Sequence, residues 1–374
     1  LVKQFMKIKN VEIYELEIPF SKFVGDNGTS AKGFAIQRQV FDFCIVKIET
    51  DTGLIGWGDA FAYECRRSVS ECIRHMIVPR IIGKNPLEVK KINFDLQKQL
   101  HLFGRYGITI FGISAIDIAL WDIAAKYHNK SIAELIGSKH NNALEGYSSL
   151  YRYGDKELVA EMVRKSVNDG YRHIKLHEIN EEEVKSSRLA AGNDVSIMVD
   201  TNCPWSAEEA IEMSKTFSQY DILWLEEPIN PPEDFDGLRN VRQTTGVSIA
   251  SGENACTVFQ FKNMIEKNAI DYAQPSVTKV GGITEFLKII SLCEDKNISL
   301  MPHSPYFGPG FLATLQLSRC YNEMTYLERF FVKPEAYLYP EKIFNPKNAM
   351  FSTPNGVGLG LDPNLDVIKS YKVC

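Results

Sequence analysis

The sequence predicts a (β/α) barrel preceded by a smaller α+β domain. Three observations carry the prediction. A chain of 374 residues exceeds what one small core holds and suits a large domain joined to a smaller one. Its first third alternates as antiparallel strands do and then turns helical. The remainder repeats one short apolar strand and one amphipathic helix eight times, and strictly alternating units of this kind form parallel sheets that close into barrels.

Val11, Ile13, Leu16 and Ile18, then FCIVKIET from residue 43, read as strands of a β-meander, broken by the DTG turn at 51–53. Between them VGDNGTSAKG, residues 24–33, has the glycines and short polar side chains of a surface loop and is a candidate lid. From about residue 68 to 136 the pattern is helical and ends in GISAIDIALWDIAAK, apolar nearly all round and so a buried helix. Strands then begin with GYSSLY at 146, HIKLHEI at 173, SIMVDTN at 196 and ILWLEEPI at 222. They continue with VSIASGEN at 247, DYAQPSVTKV at 271, ISLMPHSP at 298 and TYLERF at 325. Segments such as KELVAEMVRKSVNDG and SAEEAIEMSKTFSQY separate them at helical spacing. An open doubly wound sheet is the competing architecture, and no GxGxxG after an early strand supports it. The expected division is residues 1–135 for the first domain, 136–345 for the barrel, and 346–374 for a segment returning to the first domain.

Apolar residues make up 44% and charged residues 24%, an ordinary globular balance, and a net charge of -5 provides no broad basic field. Nucleic acid and anionic membrane surfaces are therefore set aside as partners, and a small molecule is the default. No run of about 18 uninterrupted apolar residues appears, and the opening LVKQFMKIKN has no secretory pattern. The eight cysteines fall in no CxxC or zinc-type spacing and read as reduced thiols of a cytoplasmic protein.

In such a barrel the working residues sit at the C-terminal strand ends. Those ends carry Lys175 and His177, Asp200 and Asn202, Glu226 and Glu227, Glu253, His303 and Glu328. Alternation along a strand places Lys175 with His177, and Asp200 with Asn202, on one face. Asp200, Glu226 and Glu253 end three consecutive strands, so neighbouring strands gather like charges that need a cation. All-oxygen donors suit Mg²⁺ and not zinc. Helix capping or arginine pairing explains one such acid but not three on adjacent strands. Lys175 and His177 on one side and His303 on the other offer a base and an acid. Lysine depressed by nearby cations, or histidine, takes a proton near neutral pH. His75, His101, His128, His140 and His173 read as structural.

The chain also resembles a known family through motifs in a fixed order: GWGDA at 56–60, ALWDIAAK at 119–126, MVDTN at 198–202, WLEEP at 224–228, SGEN at 251–254, KVGG at 279–282, LER at 327–329 and GVGLGLD at 356–362. It resembles the enolase superfamily, specifically the mandelate racemase and muconate lactonizing enzyme group. That resemblance implies a modified TIM-type barrel under an α+β N-terminal capping domain, with Mg²⁺ held by Asp200, Glu226 and Glu253. It further implies Lys175 as the first member of a strand-two lysine pair, His303 as the strand-seven catalytic histidine, and Glu328 as the strand-eight acid on the substrate's carboxylate side. Asn202 falls near the metal, and a homo-oligomer is the implied assembly. Two departures stand out. His177 replaces the second lysine, and Ser276 occupies the strand-six position where an aspartate backs the histidine in racemase-like members. Without that carboxylate His303 is expected to be a weaker base and a better acid. Phe20, Phe23 and Asp26, with Asn27, are expected to close over the substrate; Arg38 and Arg152 read as surface residues, with contact to a second charged group as the alternative.

The chemistry expected is abstraction of the proton beside a carboxylate, in a small-molecule carboxylate substrate, followed by dehydration of a polyhydroxy acid to a 2-keto-3-deoxy acid. His177, assisted by Lys175, removes the α-proton, and His303 protonates the departing β-hydroxyl. Racemisation or epimerisation and cycloisomerisation remain alternatives within the same enolate chemistry. From another class, a barrel that binds an acid without turning it over also remains open, its catalytic pair having changed at His177 and Ser276.

Overall fold

A computed structural model describes residues 6–23, 39–138, 143–321 and 324–373. The expected lid at 24–33, and with it Asp26, Asn27 and also Arg38, lies outside the described residues.

The first layer is an antiparallel meander of β1 (Ile8–Ser21), β2 (Val40–Thr50) and β3 (Ile55–Ala60). Helices α1 (Arg66–Cys72), α2 (Val78–Ile81), α3 (Val89–Gln99), α4 (Ile108–Tyr127) and α5 (Ile132–Ile136) follow. Helix α4 is buried from Thr109 to Ala125 because the meander covers one side and the barrel the other. Among the described residues it is the one helix long and apolar enough to cross a membrane, and it forms part of the core. The glycines of GWGDA permit this packing: a Cβ on Gly58 would stand 2.1 Å from the Ala115 carbonyl oxygen. Any side chain there would push β3 off the helix.

The second body alternates β4 (Leu144–Ser149), α6 (Lys156–Asn168), β5 (His173–Leu176), α7 (Glu181–Ala191), β6 (Ser196–Asp200), α8 (Ala207–Ser218), β7 (Ile222–Glu226) and α9 (Phe235–Thr245). It continues with β8 (Ile249–Ser251), α10 (Val258–Glu266), β9 (Tyr272–Ala273), α11 (Ile283–Lys296), β10 (Ser299–Leu300), α12 (Pro309–Ser318) and β11 (Tyr326–Phe330). Asp155, Ser206 and Thr257 cap α6, α8 and α10 by accepting first-turn N–H groups, which is why these helices start there. The eight strands are parallel in the order β10-β9-β8-β7-β6-β5-β4-β11. Between the two ends, Ser304 just after β10 donates its N–H to Glu328 Oε2 at 2.9 Å and its hydroxyl to the Glu328 carbonyl at 3.0 Å.

β9 and β10 are much shorter than the sequence predicts. Gln274 and Met301 still donate to the neighbouring strand, but Pro275 and Pro302 come next and have no N–H to continue the ladder. Ser276, Lys279 and His303 therefore stand on loops beyond the strands. The KVGG turn then docks on α4: Gly281 N–H donates to Ser114 Oγ and Thr284 N–H to Asp117 Oδ1, both at 2.9 Å. Gly282 has φ of 82°, and a Cβ on it would lie 2.5 Å from Asp117.

After β11 the chain returns along both bodies. β12 (Lys333–Pro334) pairs with β1, β13 (Met350–Phe351) pairs antiparallel with β4, and α13 (Leu365–Tyr371) lies against β1. Buried Asp122 of α4 accepts from Trp57 N–H at 3.0 Å, Leu359 N–H at 2.8 Å and Lys126 Nζ at 2.8 Å. One carboxylate thereby joins the GWGDA, ALWDIAAK and GVGLGLD segments.

Candidate active site

Parallel strands deliver three carboxylates to one place. Asp200 ends β6, Glu226 ends β7 in register with it, and Glu253 follows β8 by two residues. One oxygen of each lies within 4.8 Å of the others. Burial pushes the Glu226 carboxyl far above the usual range, and although Lys175 opposes this, Asp200, Glu328 and Glu253 add to it. Asp200 goes the other way: burial raises it, but Lys175 and His177 outweigh burial and keep it ionised. Glu253 is half-buried, and although desolvation raises it, His303 holds it at about 2. Asp200 Oδ2 makes no hydrogen bond of good geometry, although Lys175 Nζ and His177 Nε2 lie 3.3 and 3.1 Å away. An acidic, all-oxygen set with a buried oxygen lacking a hydrogen bond fits a hard divalent cation, whose charge would favour ionisation of all three, and offers nothing to a soft one.

Lys175 is fully buried, with Nζ 2.6 Å from Glu226 Oε1 and 2.8 Å from Glu328 Oε1. Burial disfavours its charge, but Glu226, Glu328 and Asp200 overcome burial and raise it well above the ordinary lysine value. Carboxylates, not cations, make up its immediate surroundings, and they favour the ammonium over the neutral lysine that the sequence reading considers as a base.

His177 stands one residue past β5. Its Nδ1 hydrogen-bonds the Leu150 carbonyl, an acceptor only, so Nδ1 carries the hydrogen, and Nε2, which faces Asp200 Oδ2, is the atom left to exchange a proton. His303 turns Nε2 to Glu253 Oε2 at 3.1 Å, while Nδ1 faces Ser276 Oγ and Tyr306 Oη, each at 3.3 Å. Neutral hydroxyls thus back the ring, and the carboxylate that meets it approaches from the other nitrogen. Glu328, within β11, receives Lys175 and the Ser304 N–H; burial raises its carboxyl, but Lys175 and then His303 hold it below the usual range.

A cleft of about 230 Å³ opens over these groups. His177, Asn202, Glu253, His303 and Glu328 line it from the barrel, and Phe20 lines it from the first domain. Lys175, Asp200, Glu226 and Ser276 do not line it; they are buried among or behind the lining groups. Phe23 is not at this cleft. The chain turns at Ser21, whose Oγ accepts from Phe23 N–H at 3.1 Å, and Phe23 takes φ of 71° and packs 5.2 Å from the Phe331 ring. Arg152 is buried and not a surface residue: Nη2 donates to the Thr201 carbonyl at 3.0 Å and to Asn202 Oδ1 at 3.2 Å, and Nε to the His177 carbonyl. It ties together the loops leaving β4, β5 and β6. Glu227, the second acid of WLEEP, accepts from Ser251 Oγ and Gly252 N–H at 3.0 and 2.9 Å; burial and Glu253 push it up to about 7.

Among the lining residues that escaped the sequence reading, two stand beside the catalytic groups. Tyr306 lies three residues after His303, and Lys279 opens the KVGG motif, with Nζ 4.6 Å above the Phe61 ring. The motif's glycines explained its backbone and left its lysine unread.

Comparison with known proteins now adds to this geometry. A family profile described as enolase C-terminal domain-like matches residues 157–367, and the N-terminal domain profile of mandelate racemase and muconate lactonizing enzyme matches residues 33–137. The chain belongs to this family of the enolase superfamily. Among its relatives, arabinonate dehydratase of Saccharolobus solfataricus is 28% identical over 98% of this chain and 99% of that protein. D-galactonate dehydratase of Ralstonia nicotianae is 31% identical over 72% of each chain. The crystal structure of 3,6-anhydro-D-galactonate cycloisomerase from Zobellia galactanivorans superimposes with a TM-score of 0.83 and 26% identity, over 98% of this chain and 100% of that one. In an enolase-superfamily enzyme the three carboxylates, the buried lysine and the two histidines fall at the barrel mouth where this fold places its chemistry.

Proposed function

We propose that this enzyme dehydrates a sugar acid to a 2-keto-3-deoxy acid, in a cytoplasm, with Mg²⁺ held by Asp200, Glu226 and Glu253. The observation that carries the reading is the unequal backing of the two histidines: a carbonyl fixes His177 as an Nε2 base, and neutral hydroxyls stand behind His303. Bound Mg²⁺ supplies Lewis-acid stabilisation of charge developing on the substrate's carboxylate oxygens. Lys175 adds a fixed positive charge beneath the same oxygens, and Glu328, tied to Ser304, orients that end of the substrate.

His177 Nε2 takes the α-proton, leaving the electron pair delocalised into the carboxylate. Collapse of that pair breaks the β-carbon to oxygen bond, and the proton for the departing hydroxyl comes from His303 Nε2, so that water leaves. The enol product then tautomerises to the keto acid. The β6, β7 and β8 carboxylates lie between β5, which leads into His177, and β10, which leads into His303, so acid and base approach from different sides. The same placement supports epimerisation or cycloisomerisation as a second reading. All seven cysteines among the described residues are unpaired, in keeping with a reducing compartment.

Incubating the Mg²⁺-loaded enzyme with a library of sugar acids in D₂O separates these readings. A dehydratase yields a keto acid, whereas an epimerase places deuterium in recovered acid of both configurations. Replacing His177 with Ala is expected to reduce α-proton exchange by about 10²- to 10⁴-fold without loss of metal binding. Exchange at the parent rate in that variant rejects His177 as the base.

A further inference from the structure

The cleft is built in two chemical layers. The lower layer is the carboxylate, lysine and histidine centre. Above it stands a wall of aromatic rings: Phe41 packs on Phe20 at 4.6 Å and on Phe307 at 4.8 Å between centroids, and Phe330 lies 6.1 Å from Phe41 and 6.3 Å from Tyr151. All five line the cleft. Phe330 is two residues beyond Glu328 on β11, so the two share a face of the sheet, with the ring roughly 7 Å further along the strand. The wall therefore meets the part of the substrate remote from the carboxylate that Glu328 faces.

The first domain also offers an anion no cationic partner in the upper layer. Among the described residues, the first domain contributes Asp42, which is paired with Arg66, and buried Asp59 to the lining, and no lysine or arginine. The one lining lysine, Lys279 from the barrel, already lies over the rings of Phe61 and Phe111.

We infer that the substrate is a monocarboxylate whose far end is uncharged and rich in C–H groups: a deoxy sugar acid ending in a methyl group, in preference to its fully hydroxylated or dicarboxylic counterpart. A terminal methyl packs against the rings. A terminal hydroxyl gains no hydrogen bond from the ring faces and has to find one of the few polar groups among them, and a terminal carboxylate meets no lysine or arginine of the first domain there. This assignment rests on the proposed sugar-acid reading and specifies its substrate class.

The test uses stereochemically matched triplets of six-carbon acids that differ only at the last carbon, as CH₃, CH₂OH or COO⁻. Binding is measured by calorimetry on the full-length, Mg²⁺-loaded His177→Ala protein, and α-proton exchange is measured separately on the parent enzyme. In the best-binding triplet the methyl member is expected to bind at least about tenfold more tightly than the hydroxymethyl member, a ratio typical of apolar-pocket discrimination, with the diacid weakest. Phe41→Gln is expected to bring the first ratio close to one, and Phe330→Gln serves if that variant does not fold. Tightest binding of a hydroxymethyl or dicarboxylic member, or an unchanged ratio in a folded variant, overturns the inference. Methyl preference without exchange keeps the substrate class and rejects the reaction; exchange with the preference reversed does the opposite.

Discussion

Lys175 Nζ lies 2.6 Å from Glu226 Oε1, and neither side chain is reached by solvent. The ammonium neutralises part of a cluster that otherwise holds Asp200, Glu226 and Glu328 in mutual repulsion, so the site is organised around positive charge before any ligand arrives. Replacing Lys175 with Met removes one partner of a buried set, a change that costs about 3–5 kcal/mol in comparable pairs. The variant is expected to melt well below the parent in chelator, and Mg²⁺ is expected to raise its melting temperature by more than it raises the parent's. Thermal melts of both proteins with chelator and with saturating Mg²⁺ check this. Equal Mg²⁺-dependent shifts would mean that lysine and cation do not share the same carboxylates.

The part of this arrangement that was legible in the sequence depends on strand order alone. Asp200, Glu226 and Glu253 fall at successive strand ends, and parallel pairing brings such ends together whatever the loops do. The family resemblance puts Ser276 behind His303, and its hydroxyl lies 3.3 Å from the ring Nδ1. Phe23 and Arg152 were not legible, for different reasons. A side-chain hydrogen bond at Ser21 turns Phe23 away, and the carbonyls that receive Arg152 come from segments distant in sequence. Lys279 and Tyr306 follow Pro275 and Pro302, where the strand period stops and no periodicity predicts direction.

Asp59 carries a pH signature. Its Oδ1 is buried without a hydrogen-bond partner, and burial pushes the carboxyl up to about 7 from an unfolded value of 3.8. Between those values the folded chain holds a proton that the unfolded chain has released, so the stability from this group is complete below about pH 4 and is lost as pH rises through 7. Asp59→Asn mimics the protonated form. The difference in unfolding free energy, variant minus parent, is expected to grow with pH across this window by up to about 1.4 kcal/mol per unit and to level off above it. Urea unfolding at pH 5, 6, 7 and 8 measures it, and a difference independent of pH rules out a buried proton on Asp59.

Ser276→Asp places an anion where a hydroxyl now faces His303 Nδ1 at 3.3 Å. A carboxylate at that distance stabilises the imidazolium, so the ring gives up its Nε2 proton less readily and takes one more readily. Proton donation to the departing hydroxyl is expected to slow by about tenfold or more, within the span that one positioned acid contributes. Proton exchange at the α-carbon from the His303 side is expected to rise, so that acid recovered from D₂O carries deuterium in the inverted configuration. Tyr306→Phe removes the other Nδ1 partner without adding charge and is expected to leave the stereochemistry of exchange unchanged. Keto-acid formation and NMR of recovered substrate read both effects. If the aspartate variant keeps the parent's rate and stereochemistry, the neutral backing of His303 does not decide between elimination and inversion, and the choice lies instead in how the substrate presents its β-hydroxyl to Nε2.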